Sequence, residues 1–242
     1  MSVKNYFDYL NTIFDEVIEN EIEQIHEAAK LIAESCEKNG RFYVFGSGHS
    51  HMIAEEVYLR AGGLAWVKGI LPGELMLHEM PNKSTYLERL VGYGESLLKL
   101  YEVDEKDTLL IVSNSGRNNV PVEMALKAKE LGVKVISLSS AEKNKKSSSR
   151  HKSKMKISDV ADISIDNRAP EGDAGFEIEG LDTAVGASST FTGVAIVQGI
   201  VIKAIELMIE KGIKPPVFKS SNIDGADDYN NELFDNYYGY WK

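Results

Sequence analysis

Residues 107–118 constrain the fold of this chain more than any other segment. They contain a short apolar run at 109–112, which is typical of a strand covered on both faces of a sheet. Small polar residues follow at once, and residues 119–132 then have helical spacing with an early proline and a closing glycine. Such a strand-turn-helix unit is characteristic of α/β proteins with parallel sheets.

The turn of this unit has the chemistry of a phosphate site. Ser113, Asn114, Ser115 and Asn118 stand where the carboxyl end of the strand meets a helix, and Gly116 allows a ligand to approach the backbone. Unpaired N–H groups and the positive end of the helix dipole favour an anion there. Serine and asparagine are also common helix caps, so an ordinary capped turn is the alternative interpretation of this stretch.

A second copy of the pattern supports the phosphate interpretation. Residues 40–51 read GRFYVFGSGHSH, a short apolar strand that ends in a turn containing Ser47, Gly48 and Ser50, and a helix is predicted over 52–61. In doubly wound sheets, ligands bind beyond the carboxyl ends of the strands where the strand order reverses. The two turns are therefore expected to share one cleft.

Three further strands are predicted, at 64–68, 134–138 and 162–166. Helices are predicted at 84–101 and from the hydroxyl-rich segment near residue 188 to about 211. The expected fold is thus α/β, a doubly wound and mainly parallel five-stranded sheet with helices on both faces.

The two strand-turn-helix units resemble the signature units of the SIS (sugar isomerase) domain family, with a match over roughly residues 20–212. The Ser-x-Ser-Gly sequence at 113–116 is the more specific signal, and the turn at 46–51 is particularly similar to that of phosphoheptose isomerases. The resemblance implies a flavodoxin-like fold and a phosphorylated sugar as ligand. It also implies that Ser188 and Ser189 add to the sugar-phosphate pocket, although both read equally well as helix caps.

An aldose-ketose isomerase needs a base that carries a proton between adjacent carbons and an acid that opens the sugar ring, and Glu or His usually serve. The candidates are His49, His51, Glu55 and the carboxylates Glu171 and Asp173. Glu55 lies four residues after His51, which would place both on one helix face. His78 and Glu79 form a further pair, which is interpreted mainly as part of a solvated loop.

The chain departs from the phosphoheptose isomerases at functional positions. Their helix glutamate and metal-binding histidine align near Arg60 and Glu56, and the carboxy-terminal helix predicted here contains no histidine. Asn118 and Val120 replace the usual Thr and Glu after Ser-x-Ser-Gly, and valine cannot act as an acid or base. No metal or cofactor is therefore predicted.

A sugar-phosphate isomerase or related enzyme is favoured slightly, and a noncatalytic phosphosugar-sensing or protein-docking module is the alternative.

The two ends of the chain suggest contacts beyond a single sheet. An apolar stripe at helical period covers the first thirty or so positions, and one helix of that length would span on the order of 45 Å. Part of it is expected to pack on another subunit of a homodimer or homotetramer, the alternative being a bent helix that lies wholly on its own sheet.

The chain is read as one domain over 1–242, with a helical extension at about 1–39. An aromatic tail at about 213–242, which includes Tyr240 and Trp241, is expected to dock on its own domain or on a neighbour.

Composition excludes several classes of function. A net charge of -10 opposes nonspecific nucleic-acid binding, and the basic segment 143–156 is read as a solvated face or as an attractor of anionic substrates. Cys36 is the only cysteine, so an intramolecular disulfide is excluded. No apolar stretch is expected to reach the roughly 18 residues of a membrane span, and the first residues lack a signal-peptide pattern. Neither nucleic acid nor membrane is predicted as a partner, and the expected location is cytoplasmic.

Overall fold

Five parallel strands form the central sheet of the computed structural model, which describes residues 2–238. The strands are β1 (Phe42–Gly46), β2 (Val67–Ile70), β3 (Thr108–Val112), β4 (Lys134–Ser139) and β5 (Ile163–Asp166). Their order in the sheet is β2-β1-β3-β4-β5. The predicted doubly wound, five-stranded fold is thus confirmed.

Eight α-helices and a small hairpin surround this sheet within the described residues. The helices are α1 (Ser2–Glu37), α2 (His51–Val57), α3 (Lys83–Leu87), α4 (Tyr93–Leu100), α5 (Asn119–Glu130), α6 (Ile157–Val160), α7 (Ser189–Glu210) and α8 (Ala226–Tyr238). The hairpin pairs β6 (Ala174–Phe176) with β7 (Val185–Ala187) in antiparallel fashion.

The core lies in two layers because side chains alternate between the two faces of each strand. Phe42 and Val44 of β1 face a cluster built with α1, α2 and α7. Tyr43 and Phe45 face the opposite cluster, built with α4 and α5. Helices therefore cover both faces, which explains why the strands read as continuous apolar runs.

The strand order reverses between β1 and β3. The chain proceeds from β1 outward to β2 and then returns to the other side of β1 to form β3, β4 and β5. The carboxyl ends of β1 and β3 consequently flank the switch point, where doubly wound proteins bind their ligands.

Three of the predicted boundaries are wrong. The helix predicted over 52–61 ends at Val57, because Tyr58 is extended and Leu59 has a positive φ. The strand predicted at 64–68 starts later, and Leu64 instead forms an antiparallel bridge with Val217. The helix predicted over 84–101 is two helices, separated by a turn in which Gly92 has a φ of 84°.

The amino-terminal stripe forms one uninterrupted helix, α1. It packs along α7 and β5, and near its start Tyr6 and Tyr9 contact Phe176 of the hairpin. Several apolar side chains on α1 remain exposed: Val3, Phe7, Ile18 and Ile22.

The described part of the aromatic tail docks on its own chain. The hydroxyl of Tyr238 donates a hydrogen bond of 2.7 Å to the carbonyl oxygen of Val67, and the Lys68 ammonium donates one to the carbonyl of Tyr237. Helix α8 thus covers the outer side of β2, an edge strand. Tyr240 and Trp241, which belong to the predicted tail, lie outside the described residues.

Helix α7 corrects the expectation that no apolar stretch reaches the length of a membrane span. By length and composition alone it could cross a bilayer. Its inward face carries Ile196, Val197, Ile200 and Val201, all buried in the core against the sheet and α1. The high hydropathy is therefore that of a core helix.

Candidate functional site

The first turn, residues 47–50, folds tightly over the carboxyl end of β1. A Cβ atom on Gly46 would lie 2.3 Å from the carbonyl oxygen of Ser50, so glycine is required for this close approach. Gly48 has a φ of 56°, and Ser84 of α3 lies over it. The Ser47 side chain is buried, whereas His49 is exposed and Ser50 is half-buried.

The second turn, residues 113–118, follows β3 and leads into α5. Gly116 has a φ of 63°, and its N–H donates to the hydroxyl and carbonyl oxygens of Ser113, which holds the turn closed. The N–H groups of Ser115, Arg117 and Asn118 have no hydrogen-bond partner within residues 2–238, and neither does the Ser115 hydroxyl. The turn therefore presents a set of donors at the positive end of a helix dipole.

Glu88 joins the two turns. One of its carboxylate oxygens accepts a hydrogen bond of 2.7 Å from the Ser47 hydroxyl, and the other accepts a short one from the Asn118 amide. Its carbonyl oxygen also accepts a bond of 3.0 Å from the N–H of Val120 in the first turn of α5. Burial raises the pKa of this carboxyl above its usual value, while the Ser47 hydrogen bond opposes that shift.

A basic side chain completes this polar chain. The Arg150 guanidinium donates a hydrogen bond of 2.6 Å to the side-chain oxygen of Asn118, and the N–H of Arg150 donates to the carbonyl of Arg117. Arg150 belongs to the basic segment 143–156, and other members of that segment are engaged elsewhere. Lys145 pairs with Glu142, and Lys156 donates to the carbonyl of Asn144.

The predicted pair His51 and Glu55 does share one face of α2. His51 is buried, its Nε2 lies 3.6 Å from the carboxylate of Glu55, and its Nδ1 contacts the carbonyl oxygen of Gly48. Together with Met52, Leu77 and His78, the pair lines a shallow hollow of about 320 Å³. The rings of His51 and His78 have centroids 5.9 Å apart, whereas Glu79 turns away to pair with Lys83.

Asn114 has a structural role at the sheet edge. Its side-chain oxygen accepts a hydrogen bond of 3.1 Å from the Asn167 amide, and its carbonyl accepts from the N–H of Ser140. These bonds join the loops that follow β3, β4 and β5. Asn114 therefore points along the sheet edge, away from the first turn.

Ser188 and Ser189 lie at the start of α7, where the carboxylate of Asp173 occupies the helix end. Asp173 accepts hydrogen bonds from the N–H groups of both serines, at 3.1 and 2.8 Å, and from the Ser189 hydroxyl at 2.8 Å. No hydrogen bond connects either serine to the two turns within the described residues. Glu171 is exposed in the same loop.

Glu88 was not among the residues predicted from the sequence. It lies at the end of α3, inside the segment that had been read as one continuous helix. Two glycines at 92 and 94 were the available signal of a break, because glycine is unfavourable within a helix. Buried Glu123 of α5 accepts hydrogen bonds from the N–H groups of both glycines, which fixes the start of α4 and leaves Glu88 in the turn before it.

The residues at the position that aligns with the metal-binding histidine of phosphoheptose isomerases do not fit a metal site. Arg60 forms an ion pair of 2.9 Å with Glu56, and Glu56 also accepts a hydrogen bond from Gln198 of α7. A guanidinium that already neutralises the carboxylate would repel a divalent cation.

Comparison with known proteins agrees with this architecture. A sequence model of the SIS domain matches residues 5–140. A UPF0309 protein of Halalkalibacterium halodurans is 52% identical over 98% of both chains, and another from Caldanaerobacter subterraneus is 44% identical over 96% of both chains. The solved structure of a phosphoheptose isomerase from Neisseria gonorrhoeae has the same fold, with a TM-score of 0.57 at 15% identity, over 84% of this chain and 97% of that one. The chain therefore belongs to the SIS domain family.

Proposed function

We propose that this protein binds a phosphorylated sugar at the two turns and catalyses an isomerisation or a related proton transfer, with Glu88 as the group that carries the proton. The observation that supports this most is the position of Glu88, a half-buried carboxylate with a raised pKa held between both turns. Perturbed carboxyls beside a ligand cleft are characteristic of enzyme sites.

The second turn would hold the phosphate. Its unpartnered N–H groups at Ser115, Arg117 and Asn118 and the Ser115 hydroxyl are donors suited to phosphate oxygens. Asn118 is also held by Arg150, so a cation stands next to the same donors. Charge-assisted hydrogen bonds of this kind are about twice as strong as neutral ones.

A bound phosphate would also affect Glu88. The Ser47 hydroxyl and the Asn118 amide now donate to its carboxylate, and a phosphate could take over these donors. Losing the Ser47 hydrogen bond would raise the Glu88 pKa further, because that bond favours the charged form. Binding would thereby favour uptake of a proton by this carboxyl, as a group that carries the proton requires.

The chemistry needs no external reactant. In an aldose-ketose conversion, Glu88 would take the proton from the carbon beside the carbonyl, leaving an enediolate, and return it to the former carbonyl carbon. The hydroxyl proton would meanwhile move from one of the two oxygens to the other. His51, buried beside the first turn with Glu55 at 3.6 Å, is the candidate for ring opening. Glu171 and His49 are exposed, so they are weaker candidates.

A noncatalytic phosphosugar sensor is the second candidate. Val120, at the position where SIS isomerases that resemble this chain have a glutamate, is fully buried and packs in the core. Under this alternative the two turns bind the ligand and Glu88 only orders them.

We also propose that the chain assembles as a homodimer or homotetramer. The exposed apolar side chains of α1 support this, together with Phe191, Ile202 and Ile209 on α7 beside it. Large apolar residues gathered on one surface commonly mark interfaces. Sedimentation of a clean monomer at micromolar concentration would refute this part.

The two candidate functions are separated by thermal-shift screening against a panel of phosphorylated sugars, followed by NMR of each stabilising mixture. Stabilisation with conversion supports the enzyme, and stabilisation without conversion supports the sensor. If no phosphosugar stabilises the protein, the phosphate assignment of the second turn is wrong.

A further inference from the structure

Three arginines from separate segments lie near the second turn. Arg117 belongs to the turn itself, Arg150 in the loop before α6 donates to Asn118, and the carbonyl of Arg89 before α4 accepts from the Asn119 amide. We call them the arginine cluster. Arg150 is largely exposed, but partial desolvation lowers its pKa, and the nearby charges of Arg117 and Arg89 lower it further. Like charges are thus brought together in a protein whose formal net charge is -10.

Protein carboxylates neutralise the arginine cluster only in part. Within the described residues none of its members forms an ion pair, whereas Arg60 pairs with Glu56 and Arg168 with Glu21. Arg150 and Arg89 both act on Glu88, but the hydrogen bonds of that carboxylate come from Ser47 and Asn118. A surface lined by one sign of charge raises the local concentration of oppositely charged ligands.

Arg117 provides an independent sign of a missing partner. Its Nε atom is buried and has no hydrogen-bond partner, one of two such side-chain atoms within residues 2–238. A buried donor of this kind costs free energy unless a ligand satisfies it. The guanidinium of Arg117 therefore has donor capacity that the described part of the protein does not use.

The positive charge exceeds what one phosphate requires. A phosphate monoester carries about -1.5 to -2 charges at neutral pH, and the N–H groups and helix dipole of the second turn already favour it. Three guanidinium groups and the helix dipole, at about +0.5, still exceed the phosphate and the single negative charge of Glu88 by about 0.5 to 1 charge.

We infer, building on the proposed function, that the substrate is a sugar phosphate with a second acidic group, a second phosphate or a carboxylate, which the arginine cluster recognises. Arginine suits this role because its planar fork binds either group with two parallel hydrogen bonds. Ligands with a single phosphate bind at the same turns but leave part of the cluster unpaired.

The test is calorimetric titration of the full chain with a hexose 6-phosphate, a hexose 1,6-bisphosphate and 6-phosphogluconate. At least one of the two doubly acidic ligands should bind about tenfold or more tightly than the monophosphate, since a charge-assisted hydrogen bond contributes that much. Equal affinities for all three would overturn this inference and leave the proposed function intact. Absence of binding by every ligand would overturn both.

Arginine variants test which residues cause the preference for doubly acidic ligands. Arg89→Gln and Arg150→Gln should each reduce the preference for the doubly acidic ligand several-fold, and Arg150→Lys should keep more of it than Arg150→Gln because the charge remains. Arg41→Gln is the matched control, because Arg41 precedes β1 and so lies at the opposite end of that strand from the two turns. A preference that persists unchanged in the Arg89→Gln/Arg150→Gln double variant, with an unaltered thermal midpoint, would contradict the assignment to these arginines.

Discussion

The amino ends of α5 and α7 are both candidate phosphate sites in the sequence, but they differ in the folded protein. Both helices start after a hydroxyl-rich turn, and both meet a carboxylate. At α7, Asp173 accepts from the N–H groups of Ser188 and Ser189 and so caps the helix itself. At α5, the carboxylate of Glu88 accepts only from side chains, and its carbonyl takes the N–H of Val120. Several N–H groups of the preceding turn have no partner within residues 2–238. A self-capped helix end contributes stability, and an uncapped one is available to a ligand.

The largest effect that this comparison predicts is on turnover. Glu88→Gln should reduce turnover of the converted phosphosugar by about 10² to 10⁴, the range typical of a general acid or base, with ligand affinity within a few-fold of wild type. Asp173→Asn makes the same carboxylate-to-amide change at α7 and should leave turnover unchanged. Equal turnover in wild type and Glu88→Gln would remove Glu88 from the mechanism.

The second largest predicted effect is a difference in ligand affinity between variants at the two helix ends. Ser115→Ala should weaken phosphosugar binding about tenfold or more, because a hydrogen bond to a charged oxygen is lost. Ser189→Ala, the same change at α7, should bind the ligand as wild type does. Calorimetric titration of both variants measures the difference, and a larger loss in Ser189→Ala would mean that the ligand lies at α7 instead.

The free energy of unfolding should respond in the reverse order, with the larger change at the start of α7. Asp173→Ala should lower the free energy of unfolding by about 1–2 kcal/mol, the usual cost of a lost helix cap, as measured by urea denaturation. Ser115→Ala should change it little, since the Ser115 hydroxyl has no partner within the described residues. A stable Asp173→Ala protein would show that the start of α7 does not depend on this carboxylate.

The smallest predicted effect is a pH dependence of stability. The pKa of Glu88 in the folded protein is raised above the pKa of about 4.3 that it has in the unfolded chain. Between these two pKa values, the unfolded state binds fewer protons than the folded state does. The contribution of this group to the free energy of unfolding should therefore fall as pH rises through that window. Denaturation of wild type and Glu88→Gln across pH 4 to 7 should show a steeper fall in wild type, and parallel curves would contradict the raised pKa.

The fold was predictable because its signals are local. The apolar runs and glycine-bearing turns after β1 and β3 mark two strand-turn-helix units, and parallel strands joined by helices permit few arrangements. Less regular segments were harder to predict. The break between α3 and α4 depends on Glu123, a residue 29 positions from Gly94, whose carboxylate takes the N–H groups there.

The candidate site was predictable in part for the same reason. Ser47, Ser113, Ser115 and Asn118 were recognised from the turns that contain them. Glu88 escaped prediction because nothing around it in sequence indicates a site, and a carboxylate in a helical pattern is usually solvated.

The sequence by itself determined the two turns, since strand, glycine and helix start are set by neighbouring residues. Only the tertiary structure decided which helix end stays open to a ligand. Asp173 closes the start of α7 from 16 residues before Ser189, and Glu88 reaches Ser47 across 41 positions and Asn118 across 30. Hydrogen-bond partners so far apart depend on how the helices pack on the sheet, and that packing is a property of the whole chain.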